Sequence, residues 1–520
     1  MRVKTLQILW HDKEPIFSVD FEPGTSGRLA TAGGDHNVRI WKLVKEDDQP
    51  PSIEFLSSLT RHTGAVNCVR WSPKGGVLAS GGDDGTILLW QQTERKDGGE
   101  FGEQDSETKE TWRIGSILRG ASSDLYDLAW SPDATYIISA CTDNTTRIFD
   151  VKEQRCIQVL TDHGHFVQGV AWDPLGKYVV TQSSDRSVNV YTYEHKKGQL
   201  TTRVAARLTK YNPSKLASRS PAKTGELDAN QDTMRGNSTD SGNSTATPAQ
   251  AKPFRIYHDE TLTSFFRRPT FTPDGALLIT PSGVFREPGD GKPDSSDAKN
   301  TVYIFTRGRI TGQPVAHSPG QKKPSVAVRC SPVPYQLRTI PTRLPPSPPR
   351  DTCLSNDESL TPSLFRLGHR YVYAVACQDA LLIYDTQQVE PIAYLGGLHY
   401  ATLTDIAWSP DGCTLLMTST DGFCSVVSFE KGELGVEAIV NTDCLQQVET
   451  PPKIKSPASR SHVTGYAEFE TQGSGGNTRR DEQALDMPNE TKQSNSAGQE
   501  QQGPISKKRR IVPTLIQKNV

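Results

Sequence analysis

A tripeptide of the form aromatic-x-Pro ends an alternating, strand-like run at Phe21-Glu22-Pro23, Trp71-Ser72-Pro73, Trp130-Ser131-Pro132, Trp172-Asp173-Pro174, Phe271-Thr272-Pro273 and Trp408-Ser409-Pro410. A seventh copy, Cys330-Ser331-Pro332, lacks the ring. Proline cannot donate to a sheet ladder and presets a turn, so each copy marks a strand that enters a hairpin. A second spacing follows: a Ser or Thr, an Asp four residues later, and an aromatic six further on. It recurs at Thr31, Asp35, Trp41; at Ser80, Asp84, Trp90; at Ser139, Asp143, Phe149; and at Thr181, Asp185, Tyr191. Such self-similarity belongs to architectures in which one small sheet packs only against its neighbours. Seven copies close into a ring without a long free edge. The expectation is an all-β, seven-bladed β-propeller over residues 1–432. Val3 to Leu9 has no partner upstream and is expected to pair as the outermost strand of the last blade.

Later copies depart from the pattern. Around Trp408, Asp421 keeps the turn position, but Met417 stands at the Ser/Thr position and Val427 at the aromatic one. In the fifth blade, Phe265 to Phe305, no turn Asp follows Phe271. The sixth runs from about Val326 to Asp385, with strands expected over 371–375 and 380–384 and a Pro-rich insertion between Tyr335 and Leu364.

Between the blades lie stretches that cannot bury a core. Low-complexity insertions are expected at about 93–110, 197–250, 286–299 and 335–363, and a disordered tail over 433–520. Mean hydropathy of -0.54 with 42 Gly and 35 Pro fits core segments interrupted by solvated ones. With 58 Lys+Arg against 60 Asp+Glu, no global basic field draws the chain to nucleic acid, so contact with DNA is expected only indirectly. The nine cysteines lack a Cys-x-x-Cys pair, and Cys68, Cys141, Cys377 and Cys424 sit in apolar runs, which suits buried, reduced thiols. No stretch approaches the roughly 18 apolar residues of a membrane span.

The tail carries Lys507-Lys508-Arg509-Arg510-Ile511-Val512-Pro513-Thr514-Leu515-Ile516, within a motif at 505–516. Four cations on an accessible segment suit nuclear import. The β-branched run beside them suits strand addition to a partner's sheet edge, with the arginines forking onto carboxylates.

The repeat resembles the WD40 family, in which a His before the first strand joins the Ser/Thr, the turn Asp and the aromatic in a buried cluster. The resemblance makes His11, His62, His163 or His165, and His399 the candidate histidines. The opening Met1-Arg2-Val3-Lys4-Thr5-Leu6-Gln7-Ile8-Leu9-Trp10-His11, the text around Trp71 and Trp130, and the final Arg-Arg-Ile together resemble the WD40 middle-subunit family of chromatin assembly factor 1. That resemblance implies a nuclear histone chaperone scaffold, partnered by a large subunit and a second WD40 subunit, which places histones H3 and H4 on newly replicated or repaired DNA. It also implies a tail motif for the anti-silencing histone chaperone, with Arg509 and Arg510 pairing to acidic groups and Ile511, Pro513, Leu515 and Ile516 filling an apolar groove.

Two other scaffolds are weighed beside it. A replication-independent chaperone scaffold also couples a propeller to such a motif but carries a long further domain, and this sequence stops nine residues after Ile511. A ubiquitin-ligase substrate receptor would not need Arg-Arg-Ile. An enzyme is not expected: the conspicuous Asp and His residues hold repeat positions, and no Ser-His-Asp, metal or phosphate-loop spacing stands out. No cofactor, metal or catalytic residue is assigned.

Overall fold

The computed structural model describes residues 1–25, 27–45, 51–93, 108–120, 123–196, 199–212, 253–286, 298–338 and 363–440. Seven four-stranded antiparallel sheets stand side by side. Their innermost strands are Ile16–Phe21, Val66–Trp71, Leu125–Trp130, Val167–Trp172, Thr270–Phe271, Ser325–Tyr335 and Leu403–Trp408, and each neighbours the next around a ring that closes between the last and the first. The architecture is the seven-bladed β-propeller.

Each blade is a meander because its hairpins are short and its strands alternate. In blade 1, Ile16–Phe21, Arg28–Gly33, Val38–Val44 and Ser52–Leu59 follow one another with Leu29 opposite Trp41. Closure is completed by the N-terminus: Arg2–Leu6 pairs with Cys424–Ser428, with Val3 opposite Val427, as the fourth strand of blade 7. Trp10, fully buried, follows this strand and lies 4.8 Å from Trp41.

The core lies between blades. Ala30, Val38 and Ile40 of blade 1 pack with Val69, Trp71, Leu78 and Trp90 of blade 2, and the same arrangement recurs around the ring. Each fully buried Val, Leu or Ile in these layers contributes roughly 1.5–3 kcal/mol. Cys68, Cys141, Cys377 and Cys424 are buried free thiols there.

Three boundaries differ from the sequence expectation. Gln199–Leu208 is not insertion but the outer strand of blade 4, pairing with Ser187–Lys196. Its Thr- and Arg-rich composition hid an alternation that buries Leu200 and Leu208. Lys299–Thr306 and Ser325–Tyr335 likewise extend strands into the edges assigned to insertions. Residues beyond 432 continue the ring, with Gln336 N–H donating to Val436 O and Ala438 N–H to Pro334 O. The remainder of the insertions and tail lies outside the described residues.

Candidate functional site

Blades 1 and 2 assemble the same four-part relay. Trp41 Nε1–H donates to Thr31 Oγ1 at 2.8 Å, the Thr31 hydroxyl lies 2.8 Å from His11 Nε2, and His11 Nδ1 lies 2.7 Å from Asp35. In blade 2 the distances are 2.8 Å from Trp90 to Ser80, 2.7 Å from Ser80 to His62 and 2.8 Å from His62 to Asp84. Because the indole occupies a lone pair of the hydroxyl oxygen, the hydroxyl proton points at Nε2, and the neutral Nδ1–H tautomer donates to the carboxylate. Burial pushes the His11 pKa down, in keeping with that neutral form.

Each turn Asp also accepts the amide two residues on. Asp35, Asp84, Asp143, Asp185 and Asp421 bind the N–H of Asn37, Thr86, Thr145, Ser187 and Phe423 at 3.0–3.1 Å. The intervening residue is forced into the left-handed region, at φ 69° for Gly85 and 82° for Gly422, where glycine is unstrained. Burial works to raise the Asp84 pKa, but the bonds from His62 and Thr86 outweigh it and hold the carboxyl far below the usual range. Asp185 behaves likewise through His163 and Ser187.

The remaining blades vary the theme. In blade 4 the histidine is His163, 2.7 Å from Thr181 and 3.1 Å from Asp185, while His165 binds Ser184. Tyr191 turns its hydroxyl to Asp162. In blade 3 Asp143 is held by Arg147 and Thr145, both at 2.6 Å, and Ser139 faces Cys141; among the described residues no histidine reaches them. In blade 7 His399 holds Asp421, and Ser425, one strand over, replaces the hydroxyl missing at Met417. In blade 5 Tyr257 takes the histidine's place, its hydroxyl 2.8 Å from Thr280, with Phe305 as the aromatic opposite Leu278.

The connectivity Ser80–His62–Asp84 is that of an acyl-transfer triad, which the sequence spacing did not suggest, and Ser425–His399–Asp421 repeats it in blade 7. Accessibility sets both apart from a working triad. Ser80, Ser425 and the His62 side chain are 0% exposed, and an indole already occupies the Ser80 hydroxyl. A substrate carbonyl has no path to either oxygen, so the relays serve the fold. Replacing Asp84 with Ala is expected to cost about 1–3 kcal/mol by orphaning the His62 and Thr86 donors. Asp143→Ala is expected to cost less, since Asp143 is more exposed and holds no histidine. Equal denaturation midpoints for the two variants would show that the histidine bond adds nothing.

The axis of the ring carries the second polar assembly. Counting back from the aromatic, or from Cys330 in blade 6, the third residue of each inner strand is Ser18, Cys68, Asp127, Gly169, Arg268, Ala327 or Asp405. The residue just before the aromatic, on the same face, is Asp20, Arg70, Ala129, Ala171, Thr270, Arg329 or Ala407. These form two layers across the channel. Asp405 Oδ2 accepts from Arg70 at 2.8 Å and Ser18 at 2.9 Å and pairs with Arg268 at 3.0 Å, while Asp127 Oδ1 accepts from Arg70 at 3.1 Å. The burial that would raise the Asp405 pKa is overcome by the guanidinium groups of Arg268 and Arg70, which keep it ionised.

Arg267 and Arg268 are a hub that sequence reading missed. Arg268 donates to carbonyls of four blades: Phe17 at 3.0 Å, Asn67 at 2.7 Å, Tyr126 at 3.4 Å and Thr404 at 3.1 Å. Its backbone N–H binds Val326 O in blade 6, and that of Arg267 binds Gln168 O in blade 4. With their own blade 5, these two residues touch all seven. Gly169 is required beside them, because a Cβ there would lie 1.9 Å from Arg267 O. Phe266 stacks under the Arg268 guanidinium at 3.9 Å and, with Phe17, Tyr126 and half-exposed Phe265, forms an aromatic cluster beside it.

Asp20 sits in the other layer, where burial lifts its pKa to about 6 against the pull of Arg70. A carboxyl raised in the fold keeps its proton between about pH 4 and 6 while the unfolded chain loses it, so stability falls with rising pH through that window. Asp20→Asn is therefore expected to gain about 2–3 kcal/mol at pH 7.5 and almost nothing at pH 4. Urea titrations at both pH values test it, and a loss of stability at pH 7.5 would contradict it.

Lys507, Lys508, Arg509, Arg510, Ile511, Pro513, Leu515 and Ile516 lie outside the described residues. Among the described residues no group of His, Cys, Asp and Glu is placed to hold a metal ion, and no helix is long and apolar enough to cross a membrane.

The family model of the CAF1B/HIR1 beta-propeller domain matches residues 1–235 and 215–434. The CAF1B protein of chromatin assembly factor 1 from Mus musculus is 40% identical over 469 residues, 89% of this chain and 72% of the relative. Its namesake from Saccharomyces cerevisiae is 38% identical, over 83% of this chain and 86% of the relative. Protein HIR1 of Yarrowia lipolytica is 27% identical, over 81% of this chain but 37% of its own length. The repeat, the ring it closes into and these likenesses together place the chain in the CAF1B family of chromatin assembly factor 1 subunits.

Proposed function

We propose that the chain is a non-catalytic propeller scaffold of a nuclear chromatin assembly factor 1 complex, joined to its large and its second, smaller WD40 subunit, and that it serves deposition of histones H3 and H4 on newly replicated or repaired DNA. The observation that carries this reading is 40% identity to a chromatin assembly factor subunit across 89% of the chain. The geometry supports the scaffold half: the Ser-His-Asp relays of blades 2 and 7 are sealed, and the axial charges of Arg70, Arg268 and Asp405 are committed to one another and to backbone carbonyls.

In this reading the tail motif is a separate contact, to the anti-silencing histone chaperone that supplies the histones, and DNA is met through partners. Affinity purification of the tagged full chain from nuclei, with identification of co-purifying proteins, tests the assignment. The large chaperone subunit and H3–H4 are expected. Subunits of a replication-independent chaperone, or ligase components, would redirect it.

A further inference from the structure

The channel layer formed by Asp20, Arg70, Ala129, Ala171, Thr270 and Arg329 is underfilled. At four of its seven positions stand small side chains, Ala129, Ala171, Thr270 and Ala407. What they leave is a cavity of about 370 Å³, open at the mouth where the inner strands end and rimmed by Pro73, Pro132, Pro174 and Pro273 with the neighbouring aromatic rings.

The charges on this layer do not balance. Arg70 and Arg329 face Asp20 alone, so the layer carries one net positive charge even with Asp20 ionised. Arg70 is saturated by Asp127, Asp405, Ser18 and a carbonyl. Arg329 is held more loosely, by Val328 O at 3.4 Å and Asp405 Oδ1 at 3.6 Å, with the side chain 20% exposed. A guanidinium has five N–H donors in a planar fork that matches a carboxylate bidentately. Burial and the positive field of Arg70 push the Arg329 pKa down, which is the mark of a site short of negative charge.

We propose that this mouth of the channel is a binding site for the carboxylate of an acidic side chain on an extended peptide, with Arg329 as the anchoring fork. The apolar proline and aromatic rim selects the occupant. It would leave the outer oxygens of a free phosphate ion unsatisfied, whereas the apolar neighbours of a glutamate in a peptide gain from lying on it. Asp20 shares the layer and accepts the Trp71 N–H at 2.8 Å, so it disfavours a second carboxylate and limits the site to one. The site is distinct from the tail motif and from the aromatic cluster around Phe265.

The test uses the full chain and three probes: the acetylated, amidated pentapeptide Leu-Pro-Glu-Pro-Leu, its glutamine counterpart, and inorganic phosphate, each followed by calorimetric titration. The glutamate peptide is expected to bind saturably, the glutamine peptide at least about 10-fold more weakly, and phosphate not measurably. Arg329→Gln is expected to lose at least about 10-fold for the glutamate peptide. Ala129→Leu, which fills the cavity without touching a charge, should lose as much and covers the case in which Arg329→Gln does not fold. Equal binding of the two peptides, full affinity in a folded Arg329→Gln or Ala129→Leu variant, binding of phosphate alone, or no saturable peptide binding would each overturn the assignment.

Discussion

Arg268→Ala is expected to be the most damaging single substitution in the ring, costing at least about 3–5 kcal/mol. Two terms make it large. The buried carboxylates of Asp405 and Asp127 lose a cation that lies 3.0 and 3.3 Å from them, and breaking a buried ion pair from one side costs on that order. Four inner-strand carbonyls also lose a donor that no water replaces, because the Arg268 side chain is 0% exposed. Arg268→Lys is expected to recover only part of the loss, since an ammonium has three donors on one atom and cannot fork across opposite blades. The denaturation midpoint of the chain in guanidinium chloride measures this. A shift in Arg268→Ala worth less than about 1 kcal/mol would show that the blades close without the hub.

The second large effect concerns binding. Replacing Arg509, Arg510 and Ile511 together with Ala is expected to weaken association with the anti-silencing histone chaperone at least about 100-fold, since each charge-assisted pair contributes about 1.5–3 kcal/mol and each 1.4 kcal/mol is tenfold in affinity. The melting transition of the ring should stay where it is. Titration of the full chain and its triple variant against that chaperone reads the effect directly, and unchanged affinity would rule out strand addition by this segment.

The features legible in the sequence are those whose partners lie close along the chain. Thr31, Asp35 and Trp41 fall within one hairpin pair, so their spacing is fixed and repeats at Ser80, Asp84 and Trp90. Substitutions that keep the bond but move the donor are not legible by spacing. Ser425 serves His399 from the next strand, and Tyr257 replaces an imidazole by reaching Thr280 with a longer side chain.

The hub was invisible for a different reason. Arg267-Arg268 before Pro269 reads as a solvated loop, and its bonding partners belong to six other blades. A signal was nevertheless present. Aligning the inner strands on their aromatic-x-Pro ends puts Asp127, Arg268 and Asp405 at one position and Asp20, Arg70 and Arg329 at another, on a face that must point to the axis. Charges at core-facing strand positions have to find one another.

A scaffold role in histone deposition is tested most directly by depletion and add-back. Nuclear extract depleted of this chain and its complex should lose replication-coupled nucleosome assembly on plasmid DNA, read as supercoiling. Add-back of the complex containing the wild-type chain should restore it, and a complex reconstituted without the chain should not. Full assembly by the complex lacking this chain would contradict the scaffold role.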